Sequence, residues 1–186
     1  MEYILYTIIF IKHNYMSKNI ANFNNTNDYL PLLNAVLITD LLVILLSNMR
    51  VIQSQVLKKW YAQYNLSAVI ADVFIILIVL IIARALYYYL FDTFSLIKFI
   101  GLAVVLQVIH DVLFYLVFSS IPRGVNNMID TFKDYAKEAS YYAILSDSAM
   151  MVSSCLIASY LVNKNLNTNI LVFISSLYAM PYLLYN

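Results

Sequence analysis

The sequence predicts an all-α fold: an integral membrane helical bundle of five transmembrane helices, or four if the last apolar segment is interfacial, with amphipathic helices in the loops. Three observations predict it. Hydrophobic residues make up 63% of the chain and charged residues 11%, whereas roughly a quarter of a soluble domain is charged. Five apolar segments approach the ~20 residues that carry a helix across ~30 Å of hydrocarbon. Two of the intervening loops alternate apolar and polar residues at helical spacing.

The apolar segments run from about Tyr29 to Met49, Leu66 to Phe91, Phe94 to Ser120, Ala139 to Val162 and Thr168 to Tyr185. Pro181 and its shorter length make the fifth the one that could lie at the interface or re-enter. Only Asp92 and Thr93 separate the second and third, which predicts an antiparallel hairpin. Residues 29–186 therefore form the bundle, and residues 1–28 a polar N-terminal tail with a short apolar segment. That segment, Tyr3–Ile11, is too short to span. Glu2 stands where a leader would be basic and no small-residue cleavage site follows, so it reads as uncleaved. The Asn-rich stretch from Asn14 to Asn27 reads as loosely ordered, with His13 nearby in solvent. Its Asn24-Asn25-Thr26 sequon matters only on a luminal side.

In the first loop, Val56, Leu57, Trp60, Tyr61 and Tyr64 alternate with Gln53, Gln55, Lys58, Lys59 and Gln63. In the second, Met128, Ile129, Phe132, Tyr135 and Ala136 form one stripe, with Asp130, Lys133, Asp134, Lys137 and Glu138 largely opposite. Each reads as a helix lying on the bilayer surface or docking a partner. Pro122-Arg123-Gly124 predicts a turn, and Asn126 or Asn127 a cap for the following helix. Pro122, Arg123, Gly124, Asn126, Asp130 and Lys133 are the candidate partner contacts. Arg50, Lys58 and Lys59 in one loop, and Arg123, Lys133 and Lys137 in the other, face Lys12, Lys18, Lys98 and Lys164 on the opposite side. This bias predicts that both loops and the C-terminus are cytoplasmic and the N-terminus is not.

Ionisable groups inside spans cost roughly 2.5 to 3.5 kcal/mol each near a helix centre, so each needs a reason. Asp40 lies in the first span, Asp72 in the second, Gln107, His110 and Asp111 in the third, and Asp147 in the fourth. At 1.5 Å per residue, all four carboxyl groups lie roughly 9 to 14 Å from the cytoplasmic span ends and so share one layer. Ala103, Gln107, His110 and Asp111 form one stripe, expected to face inward. Ser140, Ala143, Asp147, Ser154 and Ala158 form a small-residue face suited to close helix approach. Arg84 is poorly placed for Asp72 and is expected to snorkel outward or meet another polar group. Four carboxyl groups and one His cannot all be charged in a low-dielectric interior. Helix packing through hydrogen-bonded acids, a proton or cation path, and a divalent-metal enzyme all remain open, with the metal unassigned.

No cofactor and no catalytic residue is predicted, since the chain has no glycine-rich phosphate loop, no HExxH and no GxSxG. Its single cysteine, Cys155, excludes an intrachain disulfide and reads as a small packing residue. A net charge of +1 with dispersed basic residues excludes an electrostatic footprint for nucleic acid. The expected partners are the lipid bilayer, membrane or capsid proteins meeting the cytoplasmic loops, and a second copy of the chain. No internal repeat stands out from the sequence.

His110-Asp111-Val112-Leu113-Phe114-Tyr115, Ile121-Pro122-Arg123-Gly124-Val125-Asn126, Phe132-Lys133-Asp134-Tyr135-Ala136 and Asp147-Ser148-Ala149-Met150-Met151 carry a resemblance. The stretch from Gln107 to Met151 resembles uncharacterised multi-pass membrane proteins of nucleocytoplasmic large DNA viruses. The richness in Asn, Ile, Lys and Tyr also suits an AT-rich viral genome. The resemblance implies residence in the inner membrane of a giant-virus particle or in membranes of the infected cell, and no chemistry. The favoured reading is a structural or assembly membrane protein; the alternatives are a proton- or cation-conducting protein and a metal-dependent membrane enzyme.

Overall fold

Among the described residues, four helices are long and apolar enough to cross a membrane: Thr26–Asn48, Leu66–Leu90, Leu96–Ser120 and Tyr141–Leu161. They belong to a computed structural model that describes residues 19–185. The apolar segment Tyr3–Ile11, Lys12, His13 and Lys18 lie outside the described residues. Among the described residues the helices are α1 (Tyr29–Asn48), α2 (Gln55–Tyr64), α3 (Leu66–Leu90), α4 (Leu96–Ser120), α5 (Asn127–Ala139), α6 (Tyr141–Leu161) and α7 (Leu166–Leu184). A 3-10 turn, Thr26–Asp28, leads into α1.

The spans close into a ring, because α1 packs on α3, α3 on α4, α4 on α6 and α6 on α1. Chain direction alternates around it. The α3–α4 hairpin is tied by Tyr87, whose hydroxyl accepts from Ser95 N at 2.8 Å and reaches the Thr93 carbonyl at 3.1 Å. The short connection expected between those spans is therefore present, stabilised by a buried phenol.

Helix α7 is the fifth expected span, long enough at 19 residues but not among the four apolar enough to cross on composition. It lies alongside α1 in the same direction. Asn34, near the start of α1, donates to the Asn169 carbonyl at 2.8 Å, and Asn48, at its end, donates to the Leu183 carbonyl at 2.8 Å. Asn169 is itself buried and donates back to Leu161 at 3.1 Å. Asn169, one of the residues that lower its apolarity, thus forms interhelical hydrogen bonds, while Leu171, Ile174 and Leu177 face outward.

Helices α2 and α5 close one end of the ring. Both amphipathic loops form the expected helices, but they also pack on each other and on the spans rather than lying free on a surface. Trp60 and Tyr61 of α2 are buried. Trp60 meets Phe132 of α5 with ring centroids 4.8 Å apart, and Tyr64 Oη lies 3.0 Å from Thr131 Oγ1. Ser54 caps α2 through Leu57 N and donates to Glu138, which also accepts from Val56 N at 3.2 Å. Asn126 caps α5 by accepting from Met128 N and Ile129 N.

This arrangement contains a repeat, against the expectation of none. A span, an interfacial helix, one joint residue and a second span occur twice, as α1–α2–Asn65–α3 and α4–α5–Ser140–α6. The joints share one uncommon backbone conformation, φ 47° and ψ −122° at Asn65, φ 50° and ψ −130° at Ser140. Asp72 follows Asn65 at the same interval as Asp147 follows Ser140, and Trp60 precedes Asp72 as Tyr135 precedes Asp147. Few side chains are identical between the halves, so composition conceals what the joint geometry displays.

At the opposite end, residues 19–28 depart from the loose tail expected of them. They fold into successive turns against the bundle, with Ile20 and Ala21 fully buried. The cause is Arg84 of α3, which is wholly buried rather than snorkelling outward. Its guanidinium donates to the Asn22 carbonyl and to the Asn25 carbonyl at 2.9 Å. It also stands 3.5 Å from Asp28 and lies over the Tyr29 ring at 4.8 Å. A cation left in an apolar interior is costly, and the chain turns back to bring acceptors to Nη2, while Nε and Nη1 have no hydrogen-bond partner among the described residues.

Candidate functional site

The expected acidic layer lies inside the ring near the end closed by α2 and α5. Helices α1 and α3 present Asp40 and Asp72, and helix α2, folded over that end, brings a donor to each. Tyr61 Oη donates to Asp40 Oδ1 at 2.9 Å and Trp60 Nε1 donates to Asp72 Oδ2 at 2.9 Å. Adjacent residues of one interfacial helix thus bind acids of two different spans. Asp40 is completely buried, and Tyr61 lies beside Asp72 as well as Asp40. Burial first, then the neighbouring Asp72 and Asp40 carboxyl groups, push the Tyr61 phenol well above its ordinary value, so it stays a donor.

The second half is built differently beside it. Asp111 Oδ1 accepts from Gln107 Nε2 at 2.7 Å, with His110 Nδ1 at 3.3 Å, and all three residues belong to α4. Ala103 and Gln107 are buried as the stripe predicts. His110 departs from it: its side chain is 34% exposed and stacks on Phe114, so it stands at the rim of the layer. The reason is angular, since the stripe is broader than the surface that α3 and α6 cover. Ser154 and Ala158 of α6 are buried, and Ser154 donates to Thr39 of α1 at 3.1 Å, whereas Ser140 lies exposed at the joint. Asp147 faces Asp111 and Asp72 and has no hydrogen-bond donor among the described residues. Tyr135, its counterpart to Trp60, instead has Ser146 Oγ at 3.4 Å. Burial raises the Tyr135 phenol, and Asp147, Asp72 and Glu138 add to this against the Ser146 hydrogen bond.

Several buried oxygens in the layer find no partner among the described residues: Asp40 Oδ2, Asp111 Oδ2 and Gln107 Oε1. No group of three or more His, Cys, Asp or Glu among the described residues could hold a metal ion. The metal-enzyme alternative therefore lacks a ligand set there.

The loop candidates brace their own turn. Gly124, with φ 86°, donates its N–H to Asp130 at 2.8 Å, Arg123 pairs with Asp134 at 2.8 Å, and Lys133 donates to the Ile121 carbonyl. Asn126 is engaged as the α5 cap, and Pro122 is exposed within the turn. Trp60 and Tyr61 were missed as partners of the acids, because Trp and Tyr beside Lys also fit an interfacial belt. The signal that could have found Trp60 is its interval to Asp72, repeated from Tyr135 to Asp147.

No family model matches the chain, and no curated protein or solved structure is significantly similar to it.

Proposed function

We propose that this is a multi-pass membrane protein of structural or assembly type, in which the intramembrane acids Asp40 and Asp72 hold the interfacial helix α2, and α5 packed on it, over one end of the spans. The observation that carries this reading is the pair of hydrogen bonds from Tyr61 and Trp60 to Asp40 and Asp72. They engage acids of two separate spans in docking one helix over the end of the ring. The Lys and Arg bias favours a cytoplasmic face for α2 and α5, whose exposed Lys59, Gln63, Lys137 and Glu138 offer a polar roof to membrane or capsid proteins. The resemblance of Gln107–Met151 to giant-virus membrane proteins favours residence in a virion inner membrane or an infected-cell membrane.

A double-mutant cycle in detergent tests the docking role. Tyr61→Phe alone strands the buried Asp40 carboxyl and is expected to cost about 1 to 3 kcal/mol of unfolding free energy. Combined with Asp40→Leu it should cost far less, because both polar groups are then removed. Additive losses would contradict docking. The second reading is a proton or cation path through the layer, and the unpartnered oxygens of Asp40, Asp111 and Gln107 favour it.

A further inference from the structure

The acids of α5 are all engaged away from its lysines. Asp130 accepts from Gly124 N, Asp134 pairs with Arg123, and Glu138 accepts from Ser54 and Val56 of α2. Lys133 and Lys137, one turn apart, consequently have no anionic partner among the described residues. Both line a cleft of about 350 Å³ with Tyr115, Phe118, Ser119 and Ala136. That volume lies at the lower end of small-molecule sites, roughly 300 to 1,000 Å³, and suits a head group rather than a protein segment. The cleft holds two cations and two hydroxyls on a mostly buried Phe118 floor.

Its position identifies the class of anion. Tyr115 and Ser119 lie in the last turns of α4, where a span meets the head-group region. Val105, Val108 and Val112 continue the same helical stripe away from the cleft toward the bilayer centre. Val105 and Val112 are 55% and 46% exposed, leaving an uncovered apolar track that begins at the cleft. An ammonium pair at head-group depth above a hydrocarbon track matches both parts of a phospholipid at once.

We propose that Lys133, Lys137, Tyr115 and Ser119 form a binding site for the phosphate head group of an anionic phospholipid, with an acyl chain along Val112, Val108 and Val105. The site rests on the membrane placement of α4 and does not depend on whether the acidic layer is structural or conducting.

Native mass spectrometry of the full chain in detergent, titrated with phosphatidylglycerol and separately with phosphatidylcholine, tests it. Phosphatidylglycerol is expected to bind more tightly, and Lys133→Gln with Lys137→Gln should weaken it by roughly tenfold while phosphatidylcholine binding is unchanged. Lys58→Gln with Lys59→Gln, on α2, should retain the wild-type affinity. Because Lys133 also holds the Ile121 carbonyl, Lys137→Gln alone provides a variant that keeps the turn, with a severalfold loss expected. Equal binding of the two lipids, or undiminished phosphatidylglycerol binding in Lys137→Gln and the double variant, would overturn the proposal. Full displacement by inorganic phosphate would assign the cleft to a soluble anion and overturn the lipid assignment too.

Discussion

Replacing Arg84 with alanine is expected to lower the unfolding free energy by about 3 to 5 kcal/mol, the cost typical of breaking a buried ion pair from one side. The guanidinium is fully buried, donates to the Asn22 and Asn25 carbonyls, faces Asp28 and stacks on Tyr29. Removing it takes the cation from beside a buried acid and strips two turn carbonyls of their donor, so residues 19–28 should detach from α3. Arg84→Lys should rescue the loss in part, since the single nitrogen Nη2 makes all the polar contacts but an ammonium lacks the guanidinium plane over Tyr29. Chemical unfolding in detergent measures the loss, and protease accessibility of residues 19–28 localises it. A loss below about 1 kcal/mol, the size of an exposed pair, would show that the tail is not held in this way.

Trp60→Ala carries the second large effect, expected at about 3 to 5 kcal/mol. This side chain is 5% exposed, touches Tyr64 and Phe132, and donates to Asp72. It therefore joins α2 to α3 and α5 together. Trp60→Phe preserves most of the packing and loses the indole N–H, so about 1 to 2 kcal/mol is expected. Since Trp60 is the chain's single tryptophan, circular dichroism rather than fluorescence must follow the unfolding. If the alanine and phenylalanine variants lost the same amount, packing against α5 would contribute nothing.

The spans, the α3–α4 hairpin, both interfacial helices and the Asn126 cap were legible because each depends on neighbours close in sequence: an apolar run, a short turn, a helical stripe, a side chain bonding its own backbone. That the acids fall close to one another was legible from rise per residue. What bonds them was not. The sequence gives no direct view of α2 folding back over the ring, and it is this return that brings Tyr61 to Asp40 and Trp60 to Asp72. Residues 19–28 misled for a related reason, because asparagines suit a solvated tail as well as a set of turns whose carbonyls face a distant arginine. The repeat escaped notice because its shared features are a joint conformation and an interval, carried by Asn65 in one half and Ser140 in the other. Asn169 shows the converse. It lowers the apolarity of α7 below that of the other spans while serving a buried contact with Asn34.

Proton flux into liposomes is the most direct test of whether the acids of the layer act in docking. The protein is reconstituted into vesicles enclosing a pH-sensitive dye, and a pH gradient is applied with potassium and valinomycin to clamp the potential. The structural reading predicts dye traces matching protein-free vesicles, both for the natural chain and for Asp111→Asn. Flux in the natural chain that Asp111→Asn abolishes would contradict it and establish the layer as a path.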